Sequence, residues 1–301
     1  MKREQTATKH VLIIGAAVID MIVHVNQLPK TGEDVYGEHI ETMVGGCAYN
    51  VQQVINHFGI NHDLFVPVGI GPHAHMIRTH LEKQQIPIIL EDTSKDNGWN
   101  ISFVEPDGER TFLTIPGLET EWRHEWFQRI HLADYDYIYL SGYELEGTSG
   151  EVLVQEIMQN KANHAKIIFD PGPRIAYLDK AVLETILTAN TIVHCNFSEL
   201  KELMSVKTVE EGATFLSQKT KEAVVITMGA DGCFYLDKDR SGIIPAKSVK
   251  VVDTIGAGDS HTGAFISGLA QGLTLEEACQ LGNRTSEKIV QQSGCNLANI
   301  L

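Results

Sequence analysis

Residues 251–269, VVDTIGAGDSHTGAFISGL, join an apolar strand end to a glycine turn and a run of small residues typical of a helix. Glycine has no Cβ, so the backbone N–H groups around Gly256 and Gly258 can converge on one anion. The positive end of the helix dipole adds to that attraction. The stretch therefore predicts a phosphate site where a strand gives way to a helix.

Asp259 is out of keeping with a simple anion site, because its carboxylate would repel the anion that the glycines attract. The conflict disappears if Asp259 takes a proton from an attacking hydroxyl while the N–H groups hold a phosphoryl charge. The alternative is that Asp253 and Asp259 only cap the turn and the helix, as aspartate often does. The first interpretation predicts phosphoryl transfer.

The composition is that of a soluble globular protein with an acidic balance. Its 301 residues include 24 Lys and Arg against 39 Asp and Glu, a formal net charge of −15. We therefore expect no nucleic acid and no membrane as partner, although a local basic pocket for a phosphate stays open. No run has the length of a membrane span, and the apolar stretch before Asp20 is too short for a signal peptide, so we expect a cytoplasmic protein.

Cysteine and histidine give no pattern typical of a metal site. The five cysteines are widely spaced, with no C-x-x-C pair, which argues against a disulfide framework and against zinc. His73 and His75 lack a third ligand at metal spacing, so we interpret them as surface or loop residues.

Two polar segments, at about 32–44 and 98–115, carry β-forming residues without a helical stripe. We predict that they form a small sheet that covers a site, with Pro106-Asp107-Gly108 as a hairpin turn. Arg110 in this sheet is interpreted as a solvated strand arginine, or alternatively as a residue facing the substrate. From Trp122 onward strands and helices alternate, which predicts one α/β domain over 1–301 with a mostly parallel central sheet and a small β-sheet lid.

Polar residues follow several of the predicted strands, where ligand sites of α/β sheets usually lie. Asp20 comes after the strand at 11–15, and no G-x-G-x-x-G dinucleotide pattern is present there; a simple turn aspartate is the alternative. Glu144, with Glu146 as a near rival, and the pair Asp170 and Arg174 occupy similar positions further on.

Four patterns stand in one order along the chain: Gly45-Gly46-x-x-x-Asn50, Asn196-x-x-Glu199, Thr227-x-Gly229-x-x-Gly232 and Asp253-Thr254-x-Gly256-Ala257-Gly258-Asp259. From the residues alone, Asn196 and Glu199 make a helix capping pair. Together the four patterns resemble the signatures of the ribokinase-like sugar kinases, the PfkB carbohydrate kinase family, over nearly the whole chain. The resemblance implies a three-layer α/β/α fold with a small β-sheet lid, which in this family often forms the contact of a homodimer.

The resemblance also implies roles for individual residues. Asp259 is the general base, and the backbone at Gly256, Ala257 and Gly258 is the anion hole. The sugar is held by Asp20, Gly45, Gly46, Asn50 and Glu144. The nucleotide is held by Asn196, Thr227, Gly229, Gly232, Thr254 and Asn283. Glu199 binds Mg²⁺ through water, and many relatives also bind a monovalent cation, K⁺, near Asp253.

The function expected from this resemblance is ATP-dependent phosphorylation of a primary hydroxyl on a ribose- or fructose-like sugar. There is no Walker G-x-x-x-x-G-K-[ST], so backbone amides and Mg²⁺ must supply what a P-loop lysine supplies elsewhere. Cys47 stands where ribokinase carries a lysine, and His261 stands where relatives carry an aromatic or apolar residue, so the acceptor stays open. The alternatives are a nucleoside kinase of the same family and a sugar or nucleotide sensor without turnover.

Overall fold

The computed structural model describes residues 9–106, 109–188, 190–238 and 240–292. Residues 107–108 of the predicted hairpin turn lie outside the described part. Eight α-helices are found within it: α1 (Cys47–His57), α2 (Pro72–Lys83), α3 (Gly147–Asn160), α4 (Lys180–Ile186), α5 (Phe197–Leu203), α6 (Val209–Thr220), α7 (Ala257–Ala270) and α8 (Leu275–Ile289).

A central sheet of eight strands has the order β14-β13-β12-β11-β10-β9-β1-β4. The pairs from β4 through β1 to β12 are parallel, and β13 and β14 are added as antiparallel strands. The predicted α/β fold with a mostly parallel sheet is therefore confirmed. The strands of this sheet are β1 (Val11–Ile14), β4 (His62–Phe65), β9 (Tyr137–Ser141), β10 (Lys166–Asp170), β11 (Thr191–Asn196), β12 (Val224–Thr227), β13 (Cys233–Asp237) and β14 (Arg240–Ile244).

The helices cover the sheet on both faces and make three layers. Leu12 and Ile14 of β1 belong to a core cluster with residues of α3, α4, α5 and α6. Val11 and Ile13, on the opposite face, pack with residues of α1, α2, α7 and α8. All four side chains are fully buried, which contributes about 1.5–3 kcal/mol each. Burial on both faces explains why β1 reads as a continuous apolar run.

A second sheet of four strands, which we call the lid sheet, has the order β3-β2-β7-β8. Its strands are β2 (Val18–Val25), β3 (Gly37–Gly45), β7 (Trp99–Val104) and β8 (Arg110–Ile115), and a separate two-stranded sheet pairs β5 (Pro67–Val68) with β6 (Leu90–Glu91). The predicted small sheet is present, but its segments were incomplete, because β2 was not recognised as one of its strands. Asp20 therefore lies inside a strand, so the alternative interpretation of it as a simple turn residue was wrong.

Within the described ranges, no helix is long and apolar enough to cross a membrane.

Candidate active site

The glycine turn before α7 is shaped by its own hydrogen bonds. Gly256 has a φ of 71°, a left-handed conformation that glycine adopts without strain. The N–H of Ile255 donates to the Asp253 carboxylate at 3.0 Å, and the N–H of Ala257 donates to the Thr254 carbonyl at 3.2 Å. Asp253 and Thr254 thus support the turn that leads into the helix.

Two N–H groups of this turn remain open. In the part of the chain that the structure describes, nothing accepts a hydrogen bond from the N–H of Gly256 or of Gly258. A Cβ placed on Gly258 would meet no atom within 4 Å. The open amides lie at the N-terminus of a 14-residue helix, whose dipole favours an anion. The turn therefore offers two donors and free space to a phosphoryl group.

Asp259 lies in the first turn of α7 and is held by the start of α1. Its Oδ2 accepts a hydrogen bond from Asn50 Nδ2 at 2.8 Å. Burial raises the pKa of Asp259 to about 6, although Asn50 and the neighbouring Cys47 thiol lower it. The carboxylate is therefore a base that is ionised at neutral pH and basic enough to accept a proton.

The pKa of Asp259 gives a testable pH profile. Because only the ionised carboxylate can accept a proton, we expect kcat/KM to be constant above about pH 6. Below about pH 6 it should fall about tenfold for each pH unit. Initial rates between pH 4.5 and 8.5 would check this. A profile that stays level down to pH 4.5 would show that Asp259 is not the base.

Asp20, on β2, faces the segment where β3 gives way to α1. Its Oδ1 accepts a hydrogen bond from Asn100 Nδ2 at 2.7 Å, and burial raises its pKa. A Cβ on Gly45 would lie 1.9 Å from Asp20 Oδ2, and Gly46 has a φ of 102°. The negative charge of Asp20 also raises the pKa of Asp259. Asp20, Gly45 and Gly46 thus form one wall near the base.

Glu144 lies just after β9, next to the end of β1 and the start of α1. It is buried, and its Oε2 accepts a hydrogen bond from Ser141 Oγ at 2.5 Å. A Cβ on Gly15 would lie 3.0 Å from Glu144 Oε1, so the glutamate packs directly against the end of β1. Burial raises the pKa of Glu144 to about 7. The rival Glu146 forms an ion pair with Arg174, which favours Glu144 as the group available to a ligand.

Arg110 connects the lid sheet to the phosphate turn. Its Nη2 donates to Asp253 Oδ2 at 2.6 Å, with the two side chains 20% and 3% exposed. The interpretation of Arg110 as a solvated strand residue was therefore wrong. Arg110 and Asp253 are 143 positions apart in sequence, so the local pattern around either residue could not predict their contact.

On the nucleotide side, Asn196 and Glu199 form the predicted capping box of α5. Glu199 N–H donates to Asn196 Oδ1 at 2.9 Å, and Asn196 N–H donates to Glu199 Oε2 at 2.8 Å. Next to this box is a cavity of about 560 Å³. Asn196, Thr227 and Gly229, three of the predicted nucleotide-binding residues, line it.

The three other predicted nucleotide-binding residues lie outside that lining: Thr254 is in the phosphate turn, and Gly232 and Asn283 lie elsewhere. Gly232 has a φ of 92°, and a Cβ there would lie 2.0 Å from the Ile244 carbonyl oxygen. Asn283 is buried; its Nδ2 donates to the same carbonyl at 2.9 Å, and its Oδ1 pairs with His261 Nε2 at 3.1 Å. In this structure Gly232 and Asn283 therefore support the end of β14.

His261 belongs to a buried chain that sequence reasoning missed. Its Nδ1 lies 2.7 Å from His194 Nε2, and His194 Nδ1 lies 3.0 Å from Thr262 Oγ1. A Cβ on Gly282 would meet the His261 ring at 2.7 Å. His261 thus requires His194 on β11 as a hydrogen-bond partner and Gly282 on α8 as a neighbour without a side chain. These contacts hold α7 against β11 and α8. Burial lowers the pKa of His194 well below its ordinary value, so this imidazole is neutral.

The carboxylates of Asp170, Glu199 and Asp259 lie close together, between the predicted acceptor and nucleotide sites. The charges of Glu199 and Asp259 raise the pKa of Asp170, after the larger effect of burial. Burial is also the main cause that raises the pKa of Glu199. Among the described residues, no group of three or more His, Cys, Asp or Glu side chains has the geometry of a metal site. The surplus of carboxylate oxygens fits a hydrated divalent cation better than a directly ligated one.

Comparison with known proteins identifies the family. The family model described as "pfkB family carbohydrate kinase" matches residues 8–300. The uncharacterized sugar kinase YegV of Escherichia coli K-12 is 35% identical over 299 residues, covering 98% of this chain and 92% of that protein. The ribokinase of Lactococcus lactis is 25% identical over 295 residues, covering 94% of this chain and 91% of the other.

A solved structure shows the same fold. The adenosine kinase of Sinorhizobium meliloti superposes with a TM-score of 0.84 at 20% identity, covering 98% of each chain. At that identity the likeness concerns the fold alone. The family match covers nearly the whole chain and includes the phosphate turn, Asp259 and the capping box of α5. The chain therefore belongs to the pfkB family of carbohydrate kinases.

Proposed function

We propose that this carbohydrate kinase transfers the γ-phosphoryl group of ATP to a primary hydroxyl of a ribose- or fructose-like sugar. One observation carries the proposal: the carboxylate of Asp259, which accepts a hydrogen bond from Asn50, lies one turn from two open backbone amides. Base and anion site are the two groups that phosphoryl transfer to an alcohol needs.

In the proposed reaction Asp259 takes the proton of the acceptor hydroxyl as its oxygen attacks the γ-phosphorus. The bond from that phosphorus to the bridging oxygen breaks, and ADP leaves with the electron pair. The open N–H groups of Gly256 and Gly258 lie where negative charge accumulates on the transferring group, and the dipole of α7 acts in the same direction. Asn50 keeps the Asp259 carboxylate oriented through its 2.8 Å hydrogen bond.

The nucleotide is proposed to enter by the cavity next to the capping box of α5, with Asn196, Thr227 and Gly229 around it. Glu199 would hold Mg²⁺ through water, and the cation would supply positive charge to the phosphates. A K⁺ ion near Asp253 is a weaker proposal, because that carboxylate already accepts hydrogen bonds from Arg110 and from the Ile255 N–H. We expect the reaction in the cytoplasm, where ATP and such acceptors are available.

The acceptor is proposed to lie between Asp20, Glu144 and Asn50. Carboxylates and amides of this kind hydrogen-bond to sugar hydroxyls, and the glycine wall at Gly45 and Gly46 lets the backbone come close. The lid sheet, tied down by Arg110, would exclude water, which could otherwise accept the phosphoryl group.

A panel of acceptors tests the proposal. Purified protein with ATP and Mg²⁺ is assayed for ADP release against pentoses, hexoses, nucleosides and a blank. We expect one sugar to stand out by at least about tenfold in kcat/KM, the discrimination that even a small difference in fit provides. If a nucleoside has the highest kcat/KM of the panel, the alternative of a nucleoside kinase is favoured. Equal, blank-level rates for all acceptors, with ATP still bound, would favour a sensor without turnover.

We also propose a homodimer formed through the lid sheet. Its outer strand β8 exposes Leu113 and Ile115 on one face and Phe112 on the other, and Ile40 is exposed on β3 at the opposite edge of the sheet. Exposed apolar side chains of this size on an edge strand mark a surface for a second chain. We expect wild type to have the mass of a dimer in light scattering and Phe112→Glu to have that of a monomer. A monomeric wild type would contradict the proposal, and Phe215→Glu, at an exposed position on α6, is the matched control.

A further inference from the structure

Tyr139, in the middle of β9, has a buried hydroxyl without a partner. The side chain is fully buried, and its oxygen has no hydrogen-bond partner within the described ranges. A buried polar group that makes no hydrogen bond costs folding free energy, so native structures rarely keep one without a reason. The phosphoryl-transfer steps above give this hydroxyl no role.

The register of the sheet shows which groups Tyr139 faces. On the neighbouring strand β10, Tyr139 pairs with Ile168, and both belong to the core cluster beneath α1 and α7. Side chains two positions apart on a strand share a face, so Asp170 also points to this side, one diagonal step from Tyr139. Asp170 lies at the carboxyl end of its strand, where ligands of such sheets bind.

The electrostatic surroundings agree with this placement. Burial raises the pKa of Tyr139 well above its ordinary value, and the charges of Asp170, Cys47, Asp259 and Glu144 act in the same direction. The hydroxyl is therefore protonated and lies among the acids of the acceptor side. Asp170 Oδ1 accepts a hydrogen bond from the Gly172 N–H at 3.2 Å, and its side chain is only partly buried, so it has room to shift.

We propose that Tyr139 is a positioning residue of the acceptor site, whose hydroxyl donates a hydrogen bond to the Asp170 carboxylate when the acceptor is bound. This inference rests on the proposed function, since it takes the space between Asp20, Glu144 and Asn50 as the acceptor site and places Asp170, at the carboxyl end of β10, next to it. In the free protein the unpartnered hydroxyl costs folding free energy. When the acceptor binds, Asp170 shifts and accepts the Tyr139 hydrogen bond, which offsets this cost and favours acceptor binding.

The test compares Tyr139→Phe with Tyr137→Phe. Tyr137 is on the same face of β9, two positions earlier, and Asp136 and Glu222, not the acceptor-side acids, act on its hydroxyl. Thermal unfolding is followed with and without each sugar, and KM is measured for acceptor and for ATP. Removal of an unpartnered polar group should raise the Tm of free Tyr139→Phe by about 1–3 °C. The acceptor KM should rise about tenfold, with the ATP KM within about twofold of wild type.

Tyr137→Phe should leave the acceptor KM unchanged. In an Asp170→Asn background, Tyr139→Phe should raise the acceptor KM much less than in wild type, because the two groups act as a pair. A lower Tm for free Tyr139→Phe together with an unchanged acceptor KM would overturn the inference and leave a packing role. If wild type phosphorylates no sugar, the proposed function fails, and the sugar-induced Tm shifts of wild type and Tyr139→Phe still decide whether the hydroxyl serves a bound acceptor.

Discussion

The Asp259→Asn variant is expected to lose about three orders of magnitude in kcat, the loss typical when a positioned general base is removed. Asparagine has nearly the same shape, and its Oδ1 can still accept the hydrogen bond from Asn50 that is 2.8 Å long in wild type. The acceptor and the nucleotide should therefore bind with nearly unchanged affinity. Single-turnover rates with ATP, together with calorimetric affinities for ATP and acceptor, measure the two effects separately.

Protein stability supplies the control for this variant. Burial raises the pKa of folded Asp259 to about 6, above its value in the unfolded chain. Such a carboxyl contributes stability at low pH, and that contribution is lost as the pH rises through about 6. At pH 8 the ionised carboxylate has lost part of its hydration, and asparagine removes this cost. We therefore expect Asp259→Asn to unfold at a higher temperature than wild type at pH 8 but not at pH 4.

A variant that unfolds at a lower temperature and has lost ATP affinity would mean that the change damaged the fold. An intact, stable Asp259→Asn with wild-type kcat would contradict the assignment of the base.

Local patterns predicted the parts of this site that lie close together in sequence. The turn from Asp253 to Asp259 contains its left-handed glycine and its helix start within one short stretch, and the structure has both. The predicted strand end at Val251 and Val252 was wrong, because β14 already ends at Ile244 and both valines are exposed. Asn196 and Glu199 are three positions apart, so their capping box follows from helix geometry alone. The central sheet was predictable because strands buried on both faces have continuous apolar runs.

The contacts that the sequence did not predict are long-range. A turn position was the alternative for Asp20 because β2 alternates between buried and exposed positions only in part and follows β1 after three residues. The ion pair of Arg110 with Asp253 joins two segments whose own patterns are complete without it. A local pattern carries no information on a partner more than a hundred residues away.

His261 shows the same limit for a buried residue. A polar residue among the small residues of α7 has no local explanation, and substrate choice was the only role available. The structure places its ring between His194, Asn283 and Gly282. Buried imidazoles are tolerated when their nitrogens are bonded, and here both nitrogens of His261 have a partner. The residue therefore holds α7 against the sheet and α8, and with it the turn that carries Asp259.

The Gly258→Ala variant should separate catalysis from folding. A Cβ at this position meets no protein atom within 4 Å, and alanine favours a helix over glycine, so the Tm should be unchanged or slightly higher. The same methyl group projects into the space where the phosphoryl group must approach the open amides. A displacement of about 1 Å in a reacting group can cost about a hundredfold in rate, and we expect a loss of that size in kcat/KM for ATP.

Gly263→Ala, in the same helix, is the matched control for this change. Its Cβ would lie 2.7 Å from Val54 Cβ and 2.9 Å from the Val51 carbonyl oxygen, so it should destabilise the fold by about 1–3 kcal/mol. It touches no group of the phosphate turn, so the protein that remains folded should keep a near-normal kcat. Both variants are measured by thermal unfolding and by steady-state kinetics. If the phosphate lies against Gly258, Gly258→Ala loses activity and keeps its stability, whereas Gly263→Ala loses stability and keeps its activity. Full activity in a stable Gly258→Ala would contradict a phosphate site at this turn, because a phosphoryl group bound to the open amides would collide with the methyl group.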